Sequence, residues 1–457
     1  MRWLPLFLLL LTLPAAAQPV DAPAPRVVMN LAAHPDDEDG ATMAYYRYAK
    51  DAVVHSVIFT RGEGGQNEIG PELYEALGAI RTDETERAAR HLGTQVHFLN
   101  FEDFGYSKTA SEAFERWGGR DRVTARLVYL IRSLKPDVLF TNHDTTTVGP
   151  RRQHGHHQAV GIAAYDAFAL AADPAYHPEQ LDEEGVDLWQ PKRLFLRHFL
   201  AEARHDVSVP VGAVYAPEGR SYAALAADAL GEHASQGMDQ FAERIRRLDA
   251  THFELIRSAT DAPLGPDDLA ANLPPHPAPP VSISYLIDAG RIDPLPDGAF
   301  TVSTAVAVPG QPIRLAWDRS RLPALPVRLA LSGALDTTLT LAADVPGVAA
   351  LRLPVEAVPT TPAPVYQYRR FASNPPVWYA VYGAEDGALR AAGYLALEVA
   401  PPLHVEITEP VVRLHAGANR LPVRAQVFDP AATHLTLAVA VSRDADRTVI
   451  HQEQMPV

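Results

Sequence analysis

Short apolar runs alternate with helix-length stretches through the first half of the chain. The strand-like runs lie near residues 26–33, 53–60, 95–101, 137–142 and 193–200. The helical stretches lie near residues 40–50, 72–92, 120–134 and 156–171, with further helix expected over 218–257. Strands that alternate with helices predict an α/β fold, here a Rossmann-like parallel sheet with helices on both faces.

The pattern changes after residue 262. Residues 263–281 are rich in Pro and Asp and predict a semi-rigid linker. Residues 282–400 carry short Val-, Leu- and Thr-rich runs between Pro, Gly and Asp, which is typical of an all-β sandwich. Residues 401–457 predict a partial second β domain, which leaves open that the chain is a fragment or a truncated gene product. These β domains are candidates for binding carbohydrate or another protein.

The first 17 residues predict a signal peptide. Arg2 precedes an apolar run over residues 4–13, and Ala15-Ala16-Ala17 forms a small-residue cleavage signal. The apolar run is too short for a stable membrane anchor. We therefore expect cleavage after Ala17 and a periplasmic or secreted location. The chain contains no cysteine, which suits an oxidising compartment and excludes thiolate metal ligands.

Charge and size narrow the classes of partner. The formal net charge of −15 disfavours nucleic acid and anionic membrane surfaces as partners. The length of 457 residues, with 47% hydrophobic content, suggests several domains with sizeable cores. A small-molecule or glycan substrate is compatible with all of these features.

Candidate chemistry begins where the first strand ends, in the run His34-Pro35-Asp36-Asp37-Glu38. The carboxyl ends of strands are where active sites form in open α/β sheets. One turn can aim His34 and Asp37 at a single metal ion and leaves Asp36 free to act as a base. The alternative is a loop of solvated acids with a helix-capping Asp.

A second cluster, His154-Gly155-His156-His157, opens a predicted helix after the fourth strand. His154 and His157 are three positions apart, so both can face one side of the first helical turn. Alone, this spacing is also compatible with a solvated loop or an incidental metal patch. A zinc site needs about three protein ligands and an open position, and His34, Asp37 and His157 would supply them.

These two motifs resemble those of the PIG-L/LmbE family of zinc-dependent N-deacetylases. Three further segments agree with the family pattern: residues 60–66, 80–84 and 134–138, which read TRGEGGQ, IRTDE and LKPDV. The similarity covers roughly residues 26–260, so we assign a deacetylase domain to residues 26–262.

The resemblance implies a cofactor and five roles. Zn²⁺ would be bound by His34, Asp37 and His157. Asp36 would act as the general base, and His154 would help to stabilise the transition state. The implied activity is removal of an N-acetyl group from an N-acetylglucosamine-type sugar or glycoconjugate, here outside the cytoplasm.

Substrate contacts are implied at three positions. The arginine of the family's helix motif corresponds to Arg81. Some members carry a tyrosine two residues before the second motif; this chain has Arg152 there, so Arg152 or His156 is expected to take its place. His233 lies in a segment that resembles a late H-x-S-Q of the family, and it either lines the pocket or is structural.

Two other functions remain open on the sequence. One is a zinc amidohydrolase that acts on a non-sugar N-acyl compound, because its metal ligands would be identical. The other is a glycan-binding module with an inactive enzyme domain. The presence of all four of His34, Asp36, Asp37 and His157 argues against an inactive site.

Overall fold

The computed structural model describes residues 24–277 apart from 147–151, 184 and 200–202. Farther along it describes residues 283–296, 298–303, 306–307 and 312–322, together with the later strands named below. The predicted signal peptide, residues 1–17, lies outside the described residues.

The first domain contains strands and helices that alternate as expected. The strands are β1 (Val27–Ala32), β2 (Val53–Ile58), β3 (Gln95–Phe98), β4 (Val138–Thr141), β5 (Arg193–His198), β6 (Val207–Val209), β7 (Val214–Tyr215), β8 (Arg220–Ser221) and β9 (Thr251–Ser258). The helices are α1 (Gly40–Ala49), α2 (Glu75–Leu92), α3 (Ala110–Arg116), α4 (Arg120–Leu134), α5 (Gly155–Leu170), α6 (Tyr222–Gly231) and α7 (Asp239–Arg246). Single 3-10 turns cover Pro178–Asp182 and Ala234–Gln236.

The main sheet has the order β3-β2-β1-β4-β5-β9-β6. Strands β1 to β5 pair in parallel, which confirms the Rossmann-like α/β prediction. Strand β9 is antiparallel to β5, and β6 is antiparallel to β9. The sheet is therefore mixed at one end rather than wholly parallel.

The prediction of helix over residues 218–257 is wrong for its C-terminal part. Helix α7 ends at Arg246, and residues 251–258 form β9 instead. Along the start of β9, the buried side chains of Thr251 and Phe253 alternate with the half-buried His252 and Glu254. An alternation with a period of two is typical of a strand. Because this short strand follows the helix closely, a hydrophobic pattern read over the whole of residues 218–257 did not reveal it.

Helices cover both faces of this sheet. On one face, α3, α4 and α5 pack over residues that include Leu31, Phe59 and Leu139. On the other, α1 and α6 pack over Val28 and Phe140. All six residues of β1 are buried, which explains why this strand reads as a continuous apolar run rather than as an alternating one.

Much of the predicted linker is packed against the first domain. Leu269 and Leu273 are buried in its core, and the Tyr46 hydroxyl donates a hydrogen bond to Asp268 over 2.8 Å. The buried guanidinium of Arg193 donates hydrogen bonds to the backbone carbonyls of Ala262, Pro263, Leu269 and Ala271. Residues 263–277 therefore differ from the expected linker and complete the first domain.

Beyond this segment come α8 (Ile283–Asp288) and a series of strands. These are β10 (Asp293–Pro294), β11 (Phe300–Val302), β12 (Val306–Ala307), β13 (Pro312–Asp318), β14 (Val327–Leu331), β15 (Thr337–Leu341), β16 (Val348–Pro354), β17 (Val377–Gly383), β18 (Leu389–Leu395), β19 (Glu398–Val399), β20 (Leu403–Ile407), β21 (Val423–Val427), β22 (Thr436–Ser442) and β23 (Val449–Pro456).

The described strands of this part form sheets of order β10-β18-β17-β14-β15 and β11-β13-β16, with the pairs β12-β19, β20-β21 and β22-β23. A closed sandwich over residues 282–400 and a partial second β domain over 401–457 stay predictions. Throughout the described part of the chain, helices are too short or too polar to cross a membrane.

Candidate metal and active site

The loop over residues 33–39, at the carboxyl end of β1, is held from three sides. The Thr60 hydroxyl, just after β2, donates a hydrogen bond to the carbonyl of Ala33 over 2.9 Å. Asn142, just after β4, and Gln236, in the 3-10 turn, each donate to a backbone carbonyl of the loop, over 2.8 and 2.6 Å. These bonds fix the backbone from which the first motif projects its side chains.

Asp36 sits in this loop with a left-handed backbone, at φ +88°. Such a conformation strains a residue other than glycine and persists only where the surroundings impose it. The Asp36 amide donates to Oε2 of Glu38 over 2.8 Å. Burial and the neighbouring charge of Asp37 raise the pKa of the Asp36 carboxyl well above its ordinary value. A half-buried carboxyl with a raised pKa is suited to accepting a proton and returning it.

The two sequence motifs meet at Asp37. Its Oδ2 lies 2.9 Å from Nδ1 of His34 and 3.2 Å from Nε2 of His157. His34, His154 and His157 also offer ring nitrogens that all lie within 4.8 Å of one another. The structure therefore brings the four predicted residues of the metal centre and its flank into one cluster.

The first turn of α5 and its N-cap residue position His154 and His157. The amide of His156 donates to the Ser107 hydroxyl over 2.8 Å, and the amide of Gly155 donates to the Ser107 carbonyl over 2.9 Å. A Cβ on Gly155 would lie only 2.3 Å from the carbonyl oxygen of Thr109. Glycine is therefore required for this approach, which leaves the rings of His154 and His157 3.9 Å apart.

His143, which the sequence analysis did not identify, lies just after β4 and contacts the cluster. Its Nε2 accepts a hydrogen bond from the Ala33 amide over 3.0 Å, and its ring stacks on His157 at 4.3 Å. Asp37, His143 and His157 also form a group with the spacing of metal ligands. However, the His143 lone pair at Nε2 is already used by the Ala33 amide, so we assign His143 an orienting role. Its signal in the sequence was its place at the end of a predicted strand.

Two further residues join the cluster: Asp103, which the sequence analysis did not single out, and His156, which it named as a replacement for a tyrosine. Nδ1 of His156 lies 3.1 Å from Nε2 of His34, and Oδ2 of Asp103 lies 4.0 Å from the same nitrogen. The His156 ring is fully buried, stacked on Trp117 at 5.1 Å and edge-on to Phe104 at 4.4 Å. His156 therefore positions His34 and cannot stand in for a tyrosine that contacts substrate.

The electrostatics of the cluster favour a bound cation. Burial opposes protonation of His34, but its hydrogen bond to Asp37 and the surrounding carboxylates raise its pKa to about 9. Burial also opposes ionisation of Asp37, yet the nearby imidazoles hold its pKa well below the ordinary range. The site thus stabilises positive charge next to an ionised carboxylate. Imidazole nitrogens with a carboxylate are a donor set that Zn²⁺ accepts, so the residues present fit the predicted ion.

His154 is held neutral. Burial, with the charges of His157 and His34, lowers the pKa of His154 to about 3. Its Nδ1 lies 3.4 Å from the Ser107 hydroxyl. A neutral imidazole fixed in this way can donate one N–H to a developing oxyanion without carrying a charge.

The three candidate substrate residues differ in their placement. Arg81 is buried, and its guanidinium donates to the carbonyls of Gly62 and Gln66 over 2.6 and 2.7 Å. Arg81 therefore anchors the glycine-rich loop of residues 62–66 in this structure, and its contact with substrate stays a prediction. His233 is buried with a pKa that burial lowers to about 4, which favours its structural alternative. Arg152 is exposed just before His154, and its contact with substrate stays a prediction.

The glycine-rich loop also shows why its glycines are needed. Gly62 has φ +70°, and a Cβ there would meet the Arg81 guanidinium at 2.5 Å. A Cβ on Gly64 would lie 2.4 Å from the carbonyl oxygen of Asp103. The loop after β2 can therefore pack against the loop after β3, which carries Asp103 toward the cluster.

One solved structure similar to this chain is the N,N'-diacetylchitobiose deacetylase from Pyrococcus horikoshii, complexed with an inhibitor. The two share 21% sequence identity with a TM-score of 0.39, over 50% of this chain and 84% of that one.

Sequence comparison identifies closer relatives. The chain is 34% identical over 277 residues to the protein named 1D-myo-inositol 2-acetamido-2-deoxy-alpha-D-glucopyranoside deacetylase 2 from Saccharopolyspora erythraea, a match that covers 53% of this chain and 98% of the relative. It is also 34% identical over 187 residues to the deacetylase of the same substrate from Streptomyces scabiei, over 36% of this chain and 55% of that relative. The PIG-L family model, described as GlcNAc-PI de-N-acetylase, matches residues 29–168, and the chain belongs to this family.

Proposed function

We propose that this chain is a zinc-dependent N-deacetylase that hydrolyses the acetamide of an N-acetylglucosamine-type sugar or glycoconjugate. The observation that carries the proposal is the meeting of His34, Asp37 and His157 directly beside the strained, half-buried Asp36. The names of the relatives, which are deacetylases of an acetamido sugar joined to inositol, support the substrate class.

His34, Asp37 and His157 would hold the metal ion. When bound, Zn²⁺ would supply Lewis-acid polarisation of the acetyl carbonyl and acidify a neighbouring water. The protein contributes the orientation of these ligands. His156 fixes the His34 ring, while stacking of His143 fixes the His157 ring.

Asp36 would take the proton of the attacking water and later return it to the leaving amine. General acid–base catalysis of this kind typically contributes about 10²- to 10⁴-fold. Its raised pKa makes the ionised carboxylate a stronger base and the protonated form an available acid. The Asp37 carboxylate lies beside His34 and His157, so Asp37 can serve the metal and leave the Asp36 carboxylate to take the proton.

His154 would donate a hydrogen bond to the acetyl oxygen, where negative charge develops when water attacks the carbonyl carbon. A single positioned donor of this type is worth about 3–4 kcal/mol. The pKa of about 3 keeps His154 neutral, so it does not compete with metal binding through charge repulsion.

We place the reaction outside the cytoplasm, in the periplasm or as a secreted activity. This part of the proposal rests on residues 1–17, whose apolar run and Ala15-Ala16-Ala17 signal are typical of a cleaved signal peptide. We assign the β strands beyond residue 282 the accessory role of binding carbohydrate or another protein.

One assay separates this function from its alternatives. The metal-loaded full chain is incubated with N-acetylglucosamine, chitooligosaccharides, an N-acetylglucosaminyl inositol and an N-acetylated alkylamine, while released amine and bound metal are measured. We expect zinc-dependent amine release from at least one sugar. Release from the alkylamine alone would indicate a non-sugar amidohydrolase, and sugar binding without any release would indicate a glycan-binding protein.

A further inference from the structure

Tyr106 is an aromatic side chain that the loop after β3 holds outward. Its side chain is 67% exposed. Two buried residues hold the loop before and after Tyr106. The amide of Asp103, three positions earlier, donates to Oε1 of Glu63 over 3.0 Å, and Ser107 is fully buried beneath α5. Gly105, with φ +83° and an amide that donates to Asp103, makes the turn between them. The exposure of Tyr106 is therefore imposed by a fixed loop rather than by a free one.

The Tyr106 ring also lies against the reaction site. Its centroid is 5.6 Å from that of His154, with an angle of 41° between the ring planes. His154 in turn lies beside His157 at 3.9 Å. Tyr106 thus forms the rim of the cluster on the side from which the oxyanion donor acts.

An isolated exposed aromatic residue needs no functional explanation. Tyr106 differs because its anchors also build the site: Asp103 faces His34, and Ser107 carries the turn that aims His154 and His157. A sugar whose acetamide reaches the cluster from the side of His154 would bring its ring beside this rim. The C–H face of a pyranose is apolar, and a tyrosine offers a flat apolar face with a polar edge.

We propose that Tyr106 is a substrate-positioning residue that packs its ring against the pyranose of the bound substrate. This inference rests on the proposed function, because it takes the substrate to be an N-acetylated sugar. The contact needs the aromatic face and not the hydroxyl, so it holds the sugar without moving a proton. It would favour a sugar over an open-chain amide that presents the same acetyl group.

The test measures equilibrium binding of N-acetylglucosamine to the zinc-loaded full chain by ligand-observed NMR titration. We expect Tyr106→Ala to weaken the Kd about tenfold, equivalent to roughly 1.4 kcal/mol. Tyr106→Phe should stay within about twofold of the unaltered chain, since it keeps the aromatic face. Tyr165→Ala is the matched control, because Tyr165 is 49% exposed on α5 but about 16 Å farther along the helix than His154.

An unchanged Kd in Tyr106→Ala, an equal loss in Tyr165→Ala, or no binding by the unaltered chain would overturn the proposal. Amine release measured on the same variants tests the reaction separately. A raised KM with unchanged kcat in Tyr106→Ala would agree with positioning. Sugar binding that depends on Tyr106 without any hydrolysis would support the contact while refuting the deacetylase function.

Discussion

Asp37 and His157 belong to motifs far apart in the chain, yet Oδ2 of the aspartate lies 3.2 Å from Nε2 of the histidine. The contact exists because β1 and β4 are adjacent parallel strands. Their carboxyl ends therefore open at the same edge of the sheet, where the loop after β1 faces the start of α5. The candidate metal centre is a consequence of strand order, which places the two motifs side by side.

Exchange of each aspartate separately should distinguish chemistry from metal binding. We expect Asp36→Asn to keep zinc and to lose about 10²- to 10⁴-fold in kcat, because an amide cannot accept the proton. Asp37→Asn should lose zinc itself, since it removes the charged ligand between His34 and His157. Metal content after dialysis and amine release report the two effects. Loss of zinc in Asp36→Asn but not in Asp37→Asn would mean that the two roles are exchanged.

Gly155→Ala should damage the site through the backbone. The added methyl group would lie 2.3 Å from the Thr109 carbonyl oxygen, so the first turn of α5 must shift and carry His157 with it. We expect weaker zinc affinity, measured by competition with a chelator, by about 10- to 100-fold, as for other losses of ligand orientation.

Gly231→Ala is the control for this change. Gly231 ends α6, and a Cβ there would meet nothing within 4 Å. Alanine should leave zinc affinity unchanged and cost no stability, since it is the better helix former by about 0.5–1 kcal/mol. Equal zinc affinity in both variants would show that the approach of α5 to Thr109 is not needed.

The position of the domain boundary can be tested by truncation. A chain of residues 18–277 should be more stable than one of residues 18–262, because the shorter chain leaves the buried Arg193 guanidinium without its carbonyl partners at Leu269 and Ala271. An unpaired buried charged group costs at least about 1–3 kcal/mol. Loss of the Tyr46–Asp268 bond and of buried Leu269 adds to the difference. Urea unfolding checks this, and equal midpoints would place the boundary at residue 262.

Acid should destabilise the first domain through a histidine pair that consists of the buried His55 and the half-buried His97. His55 on β2 and His97 on β3 lie 3.0 Å apart. Burial lowers the pKa of His97 to about 4, and burial with the charge of His97 lowers the pKa of His55 well below its ordinary value. Between about pH 6.5 and pH 4 the unfolded chain therefore binds more protons than the folded one. Stability should be fully present above about pH 6.5 and fall with pH by up to about 1.4 kcal/mol per unit for each histidine.

Urea midpoints at about pH 7.5 and pH 5 test this linkage. In His97→Gln the dependence on pH should be smaller, because one of the two titrating groups is gone. His91→Gln is the control, because His91 is exposed beside Glu232 and lies outside the pair. A pH dependence that is the same in His97→Gln as in the unaltered chain would exclude the pair as its cause.

The sequence by itself determined the elements that depend on near neighbours. Continuous apolar runs and apolar periods predict β1 to β5, α1, α2, α4 and α5, because burial of a whole strand or of one helix face imposes these patterns locally. The first motif directly follows an apolar run and the second opens a helix, so both could be assigned to the carboxyl edge of the sheet. That placement, with the resemblance to the family, was sufficient to name His34, Asp36, Asp37, His154 and His157.

Only the tertiary structure decided which additional residues share that edge and in which role. Asp103 and His143 enter the cluster from other elements, so no spacing in the chain marks them. His156 belongs to the second motif, but only the structure shows that its Nδ1 lies 3.1 Å from Nε2 of His34. Arg81 occupies the position of a substrate-binding arginine in the family motif, but its guanidinium donates hydrogen bonds to the backbone carbonyls of Gly62 and Gln66. Residues 263–277 have the composition of a linker but supply the carbonyls that the buried Arg193 requires. The local sequence pattern indicates which residues are buried and which polar groups require hydrogen bonds. Long-range packing determines which residues provide those contacts.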